Sequence, residues 1–251
     1  MLTAPQNQAQ RLGFLREKIA SAAFAAGRDP AAVTLIGAAK SQPPANIAAA
    51  VDCGLAEIGE NYVQEAARHV AALQGRPLRW HFIGVLQGNK TRPVAERFDW
   101  VHTVDRLKIA ERLSGQRPPQ LAPLSVCIQV RLGGEATKGG IDPDELPDLA
   151  GRVAALPGLS LRGLMSLPPE EAGHDRQRHW FRELRRLLES LNAAGHQLDT
   201  LSMGMSGDFE SAILEGATHV RIGTALFGER PRGKADYNPD DSSADSRDRH
   251  A

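Results

Sequence analysis

The sequence predicts one α/β domain folded as a closed (β/α)8 barrel of the TIM type, with an additional helix at its N-terminus. Short apolar runs alternate with amphipathic helices along the chain, which is the pattern of a parallel sheet. Eight such units within about 200 residues favour a closed barrel over an open sheet. No shift in composition divides the body of the 251-residue chain. A doubly wound open sheet is the alternative architecture.

The elements follow one another in a regular order. The first helix is predicted over residues 6–26, because apolar residues recur at helical spacing from Leu12 to Ala22. A first strand is predicted over 33–39 and leads directly into Lys40. The other strands are predicted over 56–59, 79–84, 100–103, 124–130, 161–166, 200–203 and 219–222. The other helices are predicted over 45–53, 62–73, 90–98, 106–113, 143–155, 176–194 and 208–215.

The end of the chain differs from its body. Residues 1–231 carry the barrel pattern, whereas residues 232–251 are polar and almost free of aliphatic side chains. Such a segment has too little apolar surface to pack, so we expect a disordered tail over 232–251.

Composition excludes several classes of function. Lys plus Arg and Asp plus Glu both number 30, so the net charge is zero, and we expect neither a nucleic-acid nor a membrane partner. Cys53 and Cys127 are far apart, which favours a reducing compartment without disulfides. The N-terminus lacks a signal-peptide pattern, and no apolar run is long enough to span a bilayer. The histidines show no ligand spacing, so we predict a cytoplasmic protein without a metal.

Lys40 is the first candidate for chemistry. In a (β/α)8 barrel, active groups lie where the strands end at their carboxyl face, and Lys40 closes the first apolar strand. A lysine amine held there can form an imine with an aldehyde. The alternative is a strand-end lysine that only reaches solvent.

The loops after the seventh and eighth strands indicate a phosphate site. These loops carry the recurrent phosphate site of (β/α)8 barrels, and here they read MGMSGD and RIGTALFG. Glycines such as Gly223 let the backbone approach an anion, while Ser206 and Thr224 offer hydroxyl donors. The alternative is that the glycines serve only tight turns.

Arg221 lies in the eighth strand, two residues before Gly223, so both are expected to face the same side. An arginine pointing into a barrel requires a partner, because burying an unpaired charge is costly. A structural ion pair would satisfy it, and so would a ligand. Together with Lys40 and the phosphate loops, Arg221 favours a phosphorylated aldehyde, and pyridoxal phosphate carries both groups.

Several segments resemble the signature blocks of the pyridoxal-phosphate homeostasis family. They run from about residue 33 to 230 and cover nearly all of the predicted barrel. The blocks are AAKSQPP around Lys40, EIGENYVQEA at 57–66, WHFIGVLQGNK at 80–90, GEATKGGI at 134–141, LRGLMSLPP at 161–169 and LSMGMSGDFESAILEGATHVRIGTALFGER at 201–230. Three positions depart from the family's usual residues, namely Val85, Gly88 and Arg131.

The resemblance implies a barrel related to the N-terminal domain of alanine racemase, the fold of type III pyridoxal-phosphate proteins. It implies that Lys40 holds the cofactor as a Schiff base and that Asn61 lies near the ring. Ser206, Gly223 and Thr224 would hold the phosphate. Arg221 would face the pyridine nitrogen.

The same resemblance implies a protein that stores, delivers or buffers pyridoxal phosphate in vitamin B6 homeostasis, without robust catalysis. An arginine opposite the pyridine nitrogen disfavours its protonation and weakens the ring as an electron sink. The chain would lack the additional β domain of the racemases, so we expect a monomer. Apoenzymes that use pyridoxal phosphate are candidate partners. The alternatives are a minor amino-acid racemase or lyase, and a (β/α)8 enzyme of phosphorylated metabolites that forms no imine.

Overall fold

In a computed structural model, the eight strands close into a parallel barrel whose neighbours follow the order of the sequence, β1 to β8, with β8 pairing β1. The structure describes residues 7–133, 139–169 and 173–228. The predicted barrel is therefore confirmed, and the open sheet is excluded. The predicted tail, and with it the proposed division at residue 231, lies outside the described residues.

The strands are short and lie close to their predicted positions. They are β1 Thr34–Ala38, β2 Glu57–Glu60, β3 Arg79–Phe82, β4 Trp100–Val104, β5 Leu124–Gln129, β6 Leu159–Met165, β7 Thr200–Ser202 and β8 His219–Ile222. The helices are α1 Gln8–Ala25, α2 Pro44–Asp52, α3 Val63–Ala72, α4 Thr91–Arg97, α5 Leu107–Gln116, α6 Leu146–Ala154, α7 His174–Ala193, α8 Phe209–Leu214 and α9 Thr224–Phe227. Short 3₁₀ turns cover Pro30–Ala32, Gly88–Lys90 and Pro143–Glu145.

Two boundaries differ from the prediction in ways that affect the site. Strand β1 ends at Ala38, so Lys40 lies in the turn that follows rather than at the strand's last position. Helix α9 was not predicted, because a single turn is too short to show helical periodicity.

The apolar core lies mainly between the strands and the surrounding helices. Leu12, Leu15 and Ile19 of α1 belong to it, and α1 packs against α8 and α9 near the seam between β8 and β1. Inside the barrel, by contrast, lie polar side chains from five strands, where barrels of this type ordinarily hold bulky apolar residues. The inward polar residues are Glu57, His81, His102, Ser202, His219 and Arg221.

Candidate functional site

The six predicted site residues lie toward the carboxyl end of the barrel. Lys40 follows β1 and Asn61 follows β2. Ser206 lies in the loop after β7, while Arg221, Gly223 and Thr224 lie at the end of β8 and in the loop that follows. Because β1 pairs with both β2 and β8, and β7 pairs with β8, the barrel makes these loops neighbours.

The turn after β1 holds Lys40 beside an aromatic ring. The Lys40 side chain is half-buried, and its Nζ lies 5.6 Å from the centre of the Tyr62 ring. Ser41 adopts a positive φ of 59°, an unusual conformation for a residue with a side chain. Its backbone N–H donates to Glu65 Oε2 at 3.1 Å, which fixes the turn to α3. The turn is therefore held from outside while the lysine amine projects over Tyr62.

The buried side chains of His69 and Glu60 support the same turn. His69 Nε2 donates to the backbone carbonyl of Gln42 at 3.1 Å, and His69 Nδ1 lies 2.7 Å from Glu60 Oε1. Glu60 is fully buried, and its Oε2 has no partner within the described part of the chain. Burial raises the pKa of Glu60, and the bond to His69 offsets part of that rise. The pair anchors the residues that follow Lys40.

Asn61 is positioned by the close approach of a neighbouring strand end. A Cβ at Gly84 would lie 2.1 Å from the backbone oxygen of Asn61, so only glycine allows the two segments to meet. The carbonyl of Gly84 accepts a bond from Thr103 Oγ1 at 2.6 Å, which fixes it in turn to β4. Asn61 is half-buried at the edge of the site.

The two glycine-containing loops meet at Ser206. Asp208 Oδ1 accepts the Met205 N–H at 2.6 Å and closes the loop after β7. Ser206 Oγ lies 3.4 Å from the backbone N–H of Ala225, a long contact that joins this loop to the start of α9. Thr224 begins α9 and is exposed. Hydroxyls and backbone N–H groups therefore converge here, as an anion site requires.

Arg221 is a buried cation whose hydrogen-bond partners are neutral. It is 5% exposed and points into the barrel, as predicted. One terminal nitrogen donates to Ser202 Oγ at 2.7 Å, and the other donates to the backbone carbonyl of Ser166 at 3.0 Å. Burial lowers the pKa of Arg221 to about 10. No carboxylate bonds to it within the described residues, so the structural ion pair that the sequence left open is absent there.

Ser166 adds an unsatisfied hydroxyl at the same end. It follows β6 and is 1% exposed, and its Oγ has no hydrogen-bond partner among the residues that the structure describes. A buried polar group without a partner is rare and costs free energy. An amine at Lys40, a buried cation at Arg221 and this hydroxyl together suit an electron-rich ligand that carries an aldehyde and a phosphate.

Sequence reasoning missed Ser166 and Ser202 as site residues. Serine carries no distinctive spacing, and both residues acquire meaning only through Arg221 in the closed barrel. The alternation of side chains along β7 and β8 would have placed Ser202 on an inward face, but it would not have identified Arg221 as its partner.

The described residues offer neither a metal site nor a membrane-spanning helix. Within residues 7–133, 139–169 and 173–228, no group of three or more His, Cys, Asp or Glu side chains could hold a metal ion. None of the helices described there is long and apolar enough to cross a membrane.

Comparisons with known proteins agree with this geometry. The family model of the alanine racemase N-terminal domain matches residues 11–231. A pyridoxal phosphate homeostasis protein of Pseudomonas aeruginosa is 55% identical over 225 residues, which cover 90% of this chain and 96% of the relative. The protein of the same name from Escherichia coli is 48% identical over 229 residues, covering 90% and 98%.

Solved structures give the same picture. PipY of Synechococcus elongatus, solved with PLP bound, has a TM-score of 0.78 at 36% identity, covering 88% of this chain and 100% of that chain. An alanine racemase of Clostridium difficile has a TM-score of 0.68 at 14% identity, covering 88% of this chain and 57% of that chain. At that identity the racemase shares the fold alone.

Proposed function

This chain belongs to the pyridoxal phosphate homeostasis protein family, and on that premise we propose that it binds pyridoxal phosphate covalently through Lys40 and holds it for delivery. The observation that carries the proposal is the joint position of Lys40 and Arg221 at one end of the barrel. The amine supplies the covalent partner, and the buried Arg221 guanidinium, which donates to neutral oxygens of Ser202 and Ser166, offers a positive charge to the ligand.

Each predicted site residue has a role in this binding. When bound, the cofactor would supply an aldehyde, and Lys40 would hold it covalently through its side-chain amine, with water as the other product. Ser206, Gly223 and Thr224 hold the phosphate where the loops after β7 and β8 meet. Asn61, packed beside Gly84, would hold the ring, and Arg221 would interact with the ring nitrogen from inside the barrel.

The geometry favours a holder of the cofactor over an enzyme that uses it. Racemisation needs a proton donor and acceptor on each face of the substrate carbon. Lys40 can serve one face, and its amine lies 5.6 Å from the centre of the Tyr62 ring, the aromatic group that the structure places beside it. A cation beside the ring nitrogen also disfavours protonation there and so weakens carbanion stabilisation. The partners are then apoenzymes that require the cofactor, and we propose that the protein acts as a cytoplasmic monomer.

A transfer experiment tests the proposal against its alternative. Protein loaded with pyridoxal phosphate is mixed with an apoenzyme that requires the cofactor, and the activity gained is compared with that given by free cofactor at the same concentration. In parallel, the loaded protein is incubated with D- and L-amino acids. We expect activation of the apoenzyme and no turnover. Steady interconversion of an amino acid would instead support a minor racemase or lyase.

A further inference from the structure

Hydrogen bonds lead inward from Arg221 through two buried side chains. Ser202 Oγ accepts from Arg221 at 2.7 Å, and the same oxygen lies 2.7 Å from His102 Nδ1. Both Ser202 and His102 are fully buried. The other ring nitrogen of His102, Nε2, lies 2.9 Å from His81 Nδ1, so the path continues from β4 to the neighbouring strand β3.

From His81 the path reaches the opposite end of the barrel. His81 Nε2 lies 2.8 Å from Glu57 Oε2, and Glu57 Oε1 accepts from Arg79 Nε at 2.8 Å. Glu57 begins β2 and Arg79 begins β3, where the Arg79 side chain is 62% exposed. We call this set the axial chain: Arg79, Glu57, His81, His102, Ser202 and Arg221.

The acceptor at the Glu57 end of the axial chain fixes the direction of the bonds as far as Ser202. Arginine can only donate, and an ionised carboxylate can only accept. Bonds from His81 and Arg79 outweigh burial and lower the pKa of Glu57, so Glu57 is ionised at neutral pH. Donation therefore runs from Arg221 to Ser202, from the Ser202 hydroxyl to His102 Nδ1, from His102 Nε2 to His81 Nδ1, and from His81 Nε2 to Glu57. Burial lowers the pKa of both histidines, which agrees with neutral rings.

We propose that Glu57, His81 and His102 are positioning residues for Arg221, and that the direction of donation along the axial chain determines where the Ser202 hydroxyl hydrogen points. While that hydrogen points at His102, the Ser202 oxygen presents a lone pair to Arg221 and holds the guanidinium in place. This inference rests on the proposed function, since it is the bound cofactor that Arg221 would face.

The hydrogen bonds of the axial chain can run in one other direction, which the isosteric change Glu57→Gln can impose. In Glu57→Gln, the amide oxygen can accept from Arg79 while the amide nitrogen donates to His81 Nε2. His81 must then donate through Nδ1 to His102 Nε2, and His102 through Nδ1 to Ser202. The Ser202 oxygen would accept from both His102 and Arg221, and its own hydrogen would turn away. A change at one end of the barrel would thus reach the contact with Arg221 at the other.

Other charged groups around the histidines are compatible with this assignment. Besides Glu57, Arg79 and Arg221, the titratable groups that act on His81 and His102 are Asp99, just before β4, and His219 of β8. The His219 ring centre lies 6.2 Å from that of His81 and 6.0 Å from that of His102. Burial lowers the pKa of His219 to about 3, so it adds no charge to the barrel interior at neutral pH.

The test combines a measurement without cofactor and one with it. Nitrogen-15 NMR of the cofactor-free protein reports which ring nitrogen of His81 and His102 carries the hydrogen. Equilibrium dialysis and visible absorbance then report the affinity for pyridoxal phosphate and the environment of its ring. Glu57→Gln is compared with Asp199→Asn, which alters the Arg162–Asp199 pair beside β6 and β7 at the same end of the barrel without touching the axial chain.

We expect both histidines to carry the hydrogen on Nε2 in the wild type and in Asp199→Asn, and on Nδ1 in Glu57→Gln. We expect Glu57→Gln alone to weaken binding by about two- to tenfold, as for one perturbed hydrogen bond, and to shift the absorbance of the bound cofactor. Hydrogens on Nδ1 of His81 and His102 in the wild type would overturn the proposal. So would a Glu57→Gln variant in which these hydrogens move to Nδ1 while the affinity and the absorbance stay unchanged. If the wild type binds no pyridoxal phosphate, the proposed function fails, and the histidine measurement still decides the direction of the axial chain.

Discussion

The side-chain amine of Lys40 lies 5.6 Å from the centre of the Tyr62 ring. This contact is the one that orients the amine within the described residues, since the turn itself is held by Ser41 and Gln42 through Glu65 and His69. The ring face attracts a cationic amine, so it keeps Lys40 near the mouth of the site. The contact therefore predicts how the Tyr62 ring contributes to the affinity for pyridoxal phosphate.

Replacing Tyr62 separates a ring contact from a phenol function. Tyr62→Phe keeps the aromatic face, and we expect affinity for pyridoxal phosphate within about twofold of the wild type. Tyr62→Ala removes the face that orients the amine, and we expect affinity to fall by about two- to fivefold, because the amine must then be ordered on binding. Dialysis measures both. A large loss of affinity already in Tyr62→Phe would indicate that the hydroxyl acts on the ligand, as a racemase would require.

The phosphate site predicts a selectivity between two forms of the vitamin. In Ser206→Ala/Thr224→Val, the loops after β7 and β8 lose two hydroxyls. We expect affinity for pyridoxal phosphate to fall at least about a hundredfold, because hydrogen bonds to a charged group contribute about 1.5–3 kcal/mol each. Binding of pyridoxal, which has no phosphate, provides the control and should be unchanged. Equal losses for both ligands would place the phosphate elsewhere.

Gly84 should be intolerant of any side chain. A Cβ there would overlap the backbone oxygen of Asn61, so we expect Gly84→Ala to destabilise the fold by about 1–3 kcal/mol and to displace Asn61 from the site. Gly115→Ala is the matched control, because Gly115 lies in α5 with nothing within 4 Å of its added Cβ. The control should be neutral or stabilising by up to about 1 kcal/mol. Urea unfolding of both variants measures the difference.

His219 should make the stability depend on pH. Burial lowers its pKa from 6.5 to about 3 in the folded chain, so the folded state resists the proton that the unfolded state binds. The contribution of the neutral His219 ring to the free energy of unfolding is fully present above about pH 6.5, and it is lost as the pH falls toward about 3. We expect His219→Gln to reduce the slope of the free energy of unfolding against pH by roughly 1.4 kcal/mol per unit within that window.

Urea unfolding at several pH values between 5 and 8 measures this slope. His179→Gln, a change at an exposed position on α7, is the control. An equal slope in the wild type and His219→Gln would contradict the lowered pKa of His219 in the folded protein.

The sequence predicted most of the fold and part of the site. Strands and helices were predicted because their apolar periodicity is local. The position of Lys40 and Ser206 at the carboxyl end of the barrel was predicted because both follow predicted strands. Arg221 was found because alternate residues of a strand share a face.

The remainder depends on the closure of the barrel. Ser202 pairs with Arg221 only because β7 and β8 are neighbours, and His102 meets Ser202 across strands that are 100 residues apart in the chain. His102 is hydrogen-bonded to both His81 and Ser202, and these partners could not be inferred from one strand. Non-local pairs of this kind have no local signal.

The most direct test of the account is to find the residue that carries the cofactor. Protein incubated with pyridoxal phosphate is reduced with borohydride and digested, and the modified peptide is identified by mass spectrometry. We predict pyridoxyl mass on Lys40 in the wild type and in Lys108→Ala, an exposed lysine of α5, and none at this position in Lys40→Ala. Modification of another lysine with Lys40 unmodified, or no visible absorbance change on adding the cofactor, would contradict it.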